Sequence, residues 1–154
     1  MANPIYLDYN ATTPLAPEVV DAMRPYLTEG FGNPSSGHWA GRPAREAVES
    51  ARGQVAALLG CEPARIVLTS GGTEANNHAI KGAFFARRMA SHPPHVIASR
   101  IEHPAVLAPC RFLERLGAEV TLVPVDSTGL VNPDDVQKAI RPGTFLISIM
   151  HANN

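Results

Sequence analysis

Four short apolar runs, separated by stretches with helical spacing, constrain this chain more than any other feature. They are Ile66-Val67-Leu68-Thr69-Ser70, His95-Val96-Ile97-Ala98-Ser99, Val120-Thr121-Leu122-Val123-Pro124 and Phe145-Leu146-Ile147-Ser148-Ile149. Runs rich in β-branched residues and bounded by turn formers predict strands. Because they are nearly continuous in apolar character, the sheet they build is expected to be buried on both faces. Such sheets are largely parallel and need crossover helices between consecutive strands. The expected fold class is therefore α/β, a mainly parallel sheet with crossover helices.

The intervening segments supply those helices. Ala44, Ala47, Val48, Ala51, Val55, Leu58 and Leu59 recur at three- and four-residue steps, and Gly60 provides a stop. Further helices are expected from about 73 to 89, from 104 to 116 and from 133 to 140, the second opening on Pro104 and closing at Gly117. Ahead of them, residues 1–42 are dense in turn formers and read as an arm with one short helix over about 17–29. Residues 43–154 then form an α/β domain. A length of 154 residues with 45% hydrophobic content suits one domain or a large piece of a bigger one. Since the fourth strand is followed only by the start of its loop, the expectation is a domain cut short.

Charge and cysteine content narrow the partners. Lys plus Arg total 13 against 14 Asp plus Glu, for a net charge of -1, which gives no electrostatic footprint for nucleic acid or an anionic membrane. No window approaches the ~18 consecutive apolar residues of a membrane helix, and the first residues lack a basic and apolar leader pattern. Cys61 and Cys110 cannot build a disulfide framework and match no zinc spacing, so a reducing, cytoplasmic setting is expected.

In parallel α/β sheets ligands gather outside the carboxyl ends of the strands. The residues there are Gly71-Gly72-Thr73, Ile101-Glu102-His103, Val125-Asp126 and His151 to Asn154. In Thr69-Ser70-Gly71-Gly72-Thr73-Glu74 the two glycines allow close backbone approach, and the following helix would present unpaired N–H groups to an anion. Glu74 would cap the first turn or complement its dipole. No P-loop lysine follows and no G-x-G-x-x-G is present, so neither nucleotide motif applies. A plain tight turn capped by Thr73 is the competing reading.

His103, just before Pro104, is expected at a helix start on the same sheet edge, where an imidazole can stack on an aromatic ring and move protons. A solvent-facing helix cap is the alternative. Asn153 and Asn154 could bond a ligand carboxylate or ring oxygen, or merely form a turn. The remaining histidines form no metal-ligand spacing with carboxylates, and no metal is expected. Lys81 and Lys138 read as solvated helix residues, and the two thiols as inert.

Taken in order, Tyr6-Leu7-Asp8-Tyr9-Asn10-Ala11-Thr12-Thr13-Pro14, Gly32-Asn33-Pro34-Ser35-Ser36, Thr69-Ser70-Gly71-Gly72-Thr73-Glu74, Glu102-His103 and Met150-His151-Ala152-Asn153-Asn154 resemble the cysteine desulfurases. These are pyridoxal 5'-phosphate enzymes of the class V aminotransferase group, and the likeness runs in register over the whole chain. It implies the N-terminal portion of a homodimeric fold type I transferase, with residues 43–154 as an incomplete cofactor-binding domain. The implied reaction takes L-cysteine to L-alanine and leaves sulfur as an enzyme persulfide, which passes to a sulfur-acceptor or scaffold protein, as in iron–sulfur cluster assembly. Gly72 and Thr73 match cofactor-phosphate positions. His103 matches the histidine that stacks on the pyridine ring and transfers protons, and Asn154 an asparagine near the cofactor and substrate carboxylate. The family's Schiff-base lysine, ring-nitrogen aspartate, persulfide cysteine and substrate-binding arginine fall beyond this segment, so the 154 residues alone are expected to be inactive. Selenocysteine lyase shares nearly all of these motifs and is one alternative. A non-catalytic binding module, or a half-subunit that needs a second chain, is another.

Overall fold

The computed structural model describes residues 4–87 and 92–153. They fall into two compact units, Met1–Leu68 and Thr69–Asn154. The division lies downstream of the 42/43 junction expected from composition, because the long helix after the arm groups with the N-terminal unit.

That unit holds α1 (Pro17–Thr28) and α2 (Gly41–Leu59), followed by a single 3-10 turn at Pro63–Arg65. Pro17 opens α1, where its missing N–H leaves nothing unsatisfied. Gly60 ends α2 in the left-handed conformation at φ 65°, and the Cys61 N–H donates back to Ala56 O at 3.0 Å, closing the last turn. Between the helices Asn33 organises a turn by accepting from Ser35 N at 2.8 Å through its side chain. Arg45 then fastens the turn to α2, donating from Nε to Pro34 O at 2.9 Å and from Nη2 to Ser36 O at 3.0 Å.

The expected strand at Ile66 to Ser70 is not formed as such. Ile66 is extended at φ -90° and ψ 122°, and its carbonyl accepts from Arg52 Nη1 on α2. Among the described residues, however, no segment pairs with it in a ladder. An apolar β-branched run specifies extended backbone, whereas a strand also needs a neighbour to satisfy its N–H and C=O groups.

The second unit runs α3 (Gly72–Phe85), β1 (His95–Ser99), α4 (Pro104–Glu114), β2 (Glu119–Val123), α5 (Pro133–Ala139) and β3 (Thr144–Ser148). The three strands lie in the order β2-β1-β3, both pairings parallel, with Val96 opposite Val120 and Leu146. This is the parallel α/β arrangement expected, with α4 and α5 as crossovers. Every residue of the central strand β1 is buried, which explains why its sequence carries no polar alternation.

Val96 and Ala98 join Ile80 of α3, Val106, Cys110 and Leu113 of α4 in one core cluster. Ile97 points to the opposite face and is fully buried as well. At the amino edge, His95 is sealed from solvent and its ring bridges Thr144 Oγ1 and Thr121 Oγ1, each at 2.8 Å. Gly143 sits tightly beside it: a side chain there would place Cβ 2.0 Å from Pro93 O.

Candidate functional site

Two helices of the second unit begin at the carboxyl rim of the sheet. α4 starts directly after β1, through the loop 100–103, and so runs back alongside the strands. For α3 the direction follows from its far end. Arg87, just past that end, donates from Nη1 to Gly143 O at 3.0 Å and lies with its guanidinium 5.1 Å from the Phe145 ring centroid. Phe84 packs on the same ring at 6.2 Å between centroids. Gly143 and Phe145 mark the amino edge of β3, so α3 ends there. Its 14 residues span about 21 Å at 1.5 Å per residue, more than the length of a five-residue strand, which carries its start to the opposite, carboxyl rim. Gly72 and Thr73 at the start of α3 therefore share a rim with His103.

At that start Gly71 takes the N-cap position without a side-chain cap. The first intrahelical bond is Ala75 N to Gly71 O at 3.0 Å, which leaves the N–H groups of Gly72, Thr73 and Glu74 directed out of the helix end. Nothing lies within 4 Å of where a Cβ would stand on Gly71 or Gly72, so the approach to these amides is open. Glu74 reaches back and accepts from both Ser70 N and Ser70 Oγ at 2.7 Å through one oxygen, fixing the turn ahead of the helix. These bonds, the backbone one foremost, hold its carboxyl below the usual carboxylate range. Glu74 thus pins the turn ahead of α3 without capping a helix amide, and Thr73 makes no side-chain cap either.

His103 is the N-cap of α4. Its Nδ1 accepts from Ala105 N at 3.0 Å, so the neutral ring carries its proton on Nε2. The residue is exposed, which leaves the ring accessible to a ligand. Pro104 follows at the first helical position and confines His103 to extended backbone, at φ -59° and ψ 149°.

Asn154 lies outside the described residues. Its neighbour Asn153 donates from Nδ2 to Ile101 O at 2.9 Å, which joins the loop after β3 to the loop after β1. Between the two loops lies a residue that sequence reasoning named only as part of a motif. Glu102, 6% exposed, accepts from Ser99 Oγ at 2.9 Å and from Met150 N at 2.6 Å. No local signal gives this role, because one donor is 48 residues away. Cys110 is buried, and burial foremost, with Glu102 and Glu114 adding to it, pushes its thiol pKa up, away from nucleophile chemistry.

Open helix amides suit an anion, and an accessible imidazole suits the face of a flat ring. Among the described residues no group of three or more His, Cys, Asp or Glu is arranged to hold a metal ion. No helix among them is long and apolar enough to cross a membrane.

A parallel α/β unit with helix starts and a histidine at its carboxyl rim is the class of protein that fold and site define. Residues 5–154 match the aminotransferase class-V family model, and the chain belongs to that family. It is 56% identical over all 154 of its residues to a cysteine desulfurase IscS of Dictyoglomus turgidum, covering 39% of that protein. It is 49% identical, over 98% of its length, to a mitochondrial cysteine desulfurase of Arthroderma benhamiae, covering 30% of it. The chain thus spans well under half the length of these relatives. Among solved structures, SspA in complex with cysteine superposes with a TM-score of 0.84 at 44% identity, over 96% of this chain and 42% of that one. DndA from Streptomyces lividans gives 0.79 at 39% identity, over 97% and 42%.

Proposed function

We propose that the whole protein is a pyridoxal 5'-phosphate-dependent cysteine desulfurase and that this chain contributes part of its cofactor pocket. The carrying observation is that the open amides of Gly72 and Thr73 and the exposed imidazole of His103 share the carboxyl rim, in a chain 56% identical to an IscS protein. Bound pyridoxal phosphate supplies the electron sink that labilises bonds at the cysteine carbons. Gly72 and Thr73 would hold the phosphate through their N–H groups, with the Thr73 hydroxyl as one further donor, and the His103 ring would stack on the pyridine ring. Because Nδ1 is engaged by Ala105 N, proton transfer runs through Nε2. By its match to the family motif, Asn154, outside the described residues, is the asparagine proposed to serve the cofactor and the substrate carboxylate.

The same reading makes L-cysteine the substrate, L-alanine the product, and a sulfur-acceptor or scaffold protein the onward partner of a homodimer. Residues 43–154 then belong to one cofactor-binding domain of the complete enzyme. Two free cysteines without a disulfide accord with a cytoplasmic setting. The test is turnover by the full-length protein, purified with pyridoxal phosphate and supplied with L-cysteine and a reductant. Sulfide and alanine in equal amounts support the proposal. Absence of both, in folded and cofactor-loaded protein, contradicts it, and turnover of L-selenocysteine alone would identify the lyase.

A further inference from the structure

We infer that Glu102 is a positioning residue, which holds His103 and the loop after β3 in a fixed frame before any ligand arrives. The inference rests on the reading of His103 as the ring-stacking group. Parallel strands lose their mutual hydrogen bonds where they end, and the chains leaving β1 and β3 have no ladder to keep them together. Here a single carboxylate oxygen replaces it. Glu102 Oε1 takes the Ser99 hydroxyl from the last residue of β1 and the Met150 amide from beyond the end of β3. A second link runs the other way, from Asn153 Nδ2 to Ile101 O. Two crossing bonds fix both loops where a lone one would leave a pivot.

His103 lies immediately after this clasp. It is exposed, and among the described residues its ring bonds to Ala105 N, two residues on. The imidazole is therefore aimed by its backbone, pinned on one side by Glu102 and on the other by Pro104. The two donors need an acceptor atom at Oε1 but not a charge, since a glutamine carbonyl accepts equally from a hydroxyl and an amide. A glutamine at 102 should preserve the arrangement, whereas alanine removes it and aspartate is one methylene too short to meet both donors.

The experiment follows the His103 tautomer by nitrogen NMR in the ligand-free full-length protein with labelled histidine, above the pH of ring protonation. Wild type and Glu102→Gln are expected to hold the proton on Nε2, while Glu102→Ala shows both tautomers in exchange. In the loaded enzyme Glu102→Ala is expected to lower kcat by about tenfold or more with KM for cysteine little changed, and Glu102→Gln to recover it. Should Glu102→Ala fail to fold, Glu102→Asp provides the same comparison. An unchanged tautomer in folded Glu102→Ala or Glu102→Asp overturns the inference. Mixed tautomers with undiminished turnover would uphold the positioning by Glu102 and refute instead the proposed part of His103 in the reaction.

Discussion

His95 Nδ1 lies 2.8 Å from Thr144 Oγ1 on β3, and its Nε2 lies 2.8 Å from Thr121 Oγ1 on β2, so one imidazole spans the three strands at their amino edge. Burial foremost, with the nearby Arg141 adding to it against Glu119, pushes its pKa below the ordinary histidine value of 6.5. The neutral ring is thus the folded form, whereas in the unfolded chain the ring protonates below about 6.5. The stabilising contribution is complete above that value and declines as pH falls toward the depressed folded pKa. Unfolding free energy is expected to drop as pH falls below about 6.5, with a slope of up to about 1.4 kcal/mol per pH unit. Glu74 and Asp126 are held below the usual carboxylate range, so their contributions are lost only at lower pH. Urea titrations across this range check the point. A flat profile, together with His95 titrating at its ordinary value, would contradict it.

Two glycines should respond oppositely to alanine. At Gly143 the added Cβ would stand 2.0 Å from Pro93 O, a backbone atom that cannot swing aside, and Gly143 O itself accepts from His95 N at 2.9 Å. Gly143→Ala is expected to cost about 1–3 kcal/mol. Gly53 lies inside α2 with nothing within 4 Å of its Cβ position. Gly53→Ala is expected to gain about 0.5–1 kcal/mol from reduced unfolded-state entropy. Thermal melts of both variants decide the pair.

Gly72→Ala separates folding from binding. A methyl at the first position of α3 meets nothing within 4 Å, and alanine favours helix, so the melting temperature should hold or rise slightly. The same methyl borders the open approach to the helix amides. In the full-length protein the affinity for pyridoxal phosphate is expected to fall by about tenfold or more, equivalent to about 1.4 kcal/mol. Equilibrium dialysis measures it, and unchanged affinity would place the phosphate elsewhere.

Glu74→Ala removes the acceptor of two bonds from Ser70 and leaves the turn ahead of α3 unpinned. A lower melting temperature and faster amide exchange at residues 70–73 are expected. Glu74→Gln keeps an acceptor and should lie between alanine and wild type. Equal behaviour of all three proteins would mean that the turn is held by other contacts.

The elements most legible in the sequence were those whose pattern is local. β1 was read at the residues it occupies, His95–Ser99, because its continuous burial writes itself as an unbroken apolar run. β2 and β3 each begin one residue earlier than expected, at Glu119 and Thr144, since pairing with His95 recruits residues that carry no apolar signal of their own. The helix expected through 89 ends at Phe85, and residues 88–91 lie outside the described ones. Among the described residues the run from Ile66 finds no partner strand, since extended conformation is encoded locally and a partner is not. At the rim, the helix starts at Gly72 and Pro104 were legible from the glycine pair and the proline. Glu102 and the His95 bridge were not, since their partners at Met150 and Thr144 come from distant segments of chain.

The measurement that bears most directly on a shared rim for one ligand is an NMR titration of pyridoxal phosphate into ligand-free full-length protein labelled at glycine, threonine and histidine. The account predicts that the Gly72 and Thr73 amides and the His103 ring shift together, with one common saturation curve. Shifts at the amides with His103 unmoved, or at His103 with the amides unmoved, would contradict it.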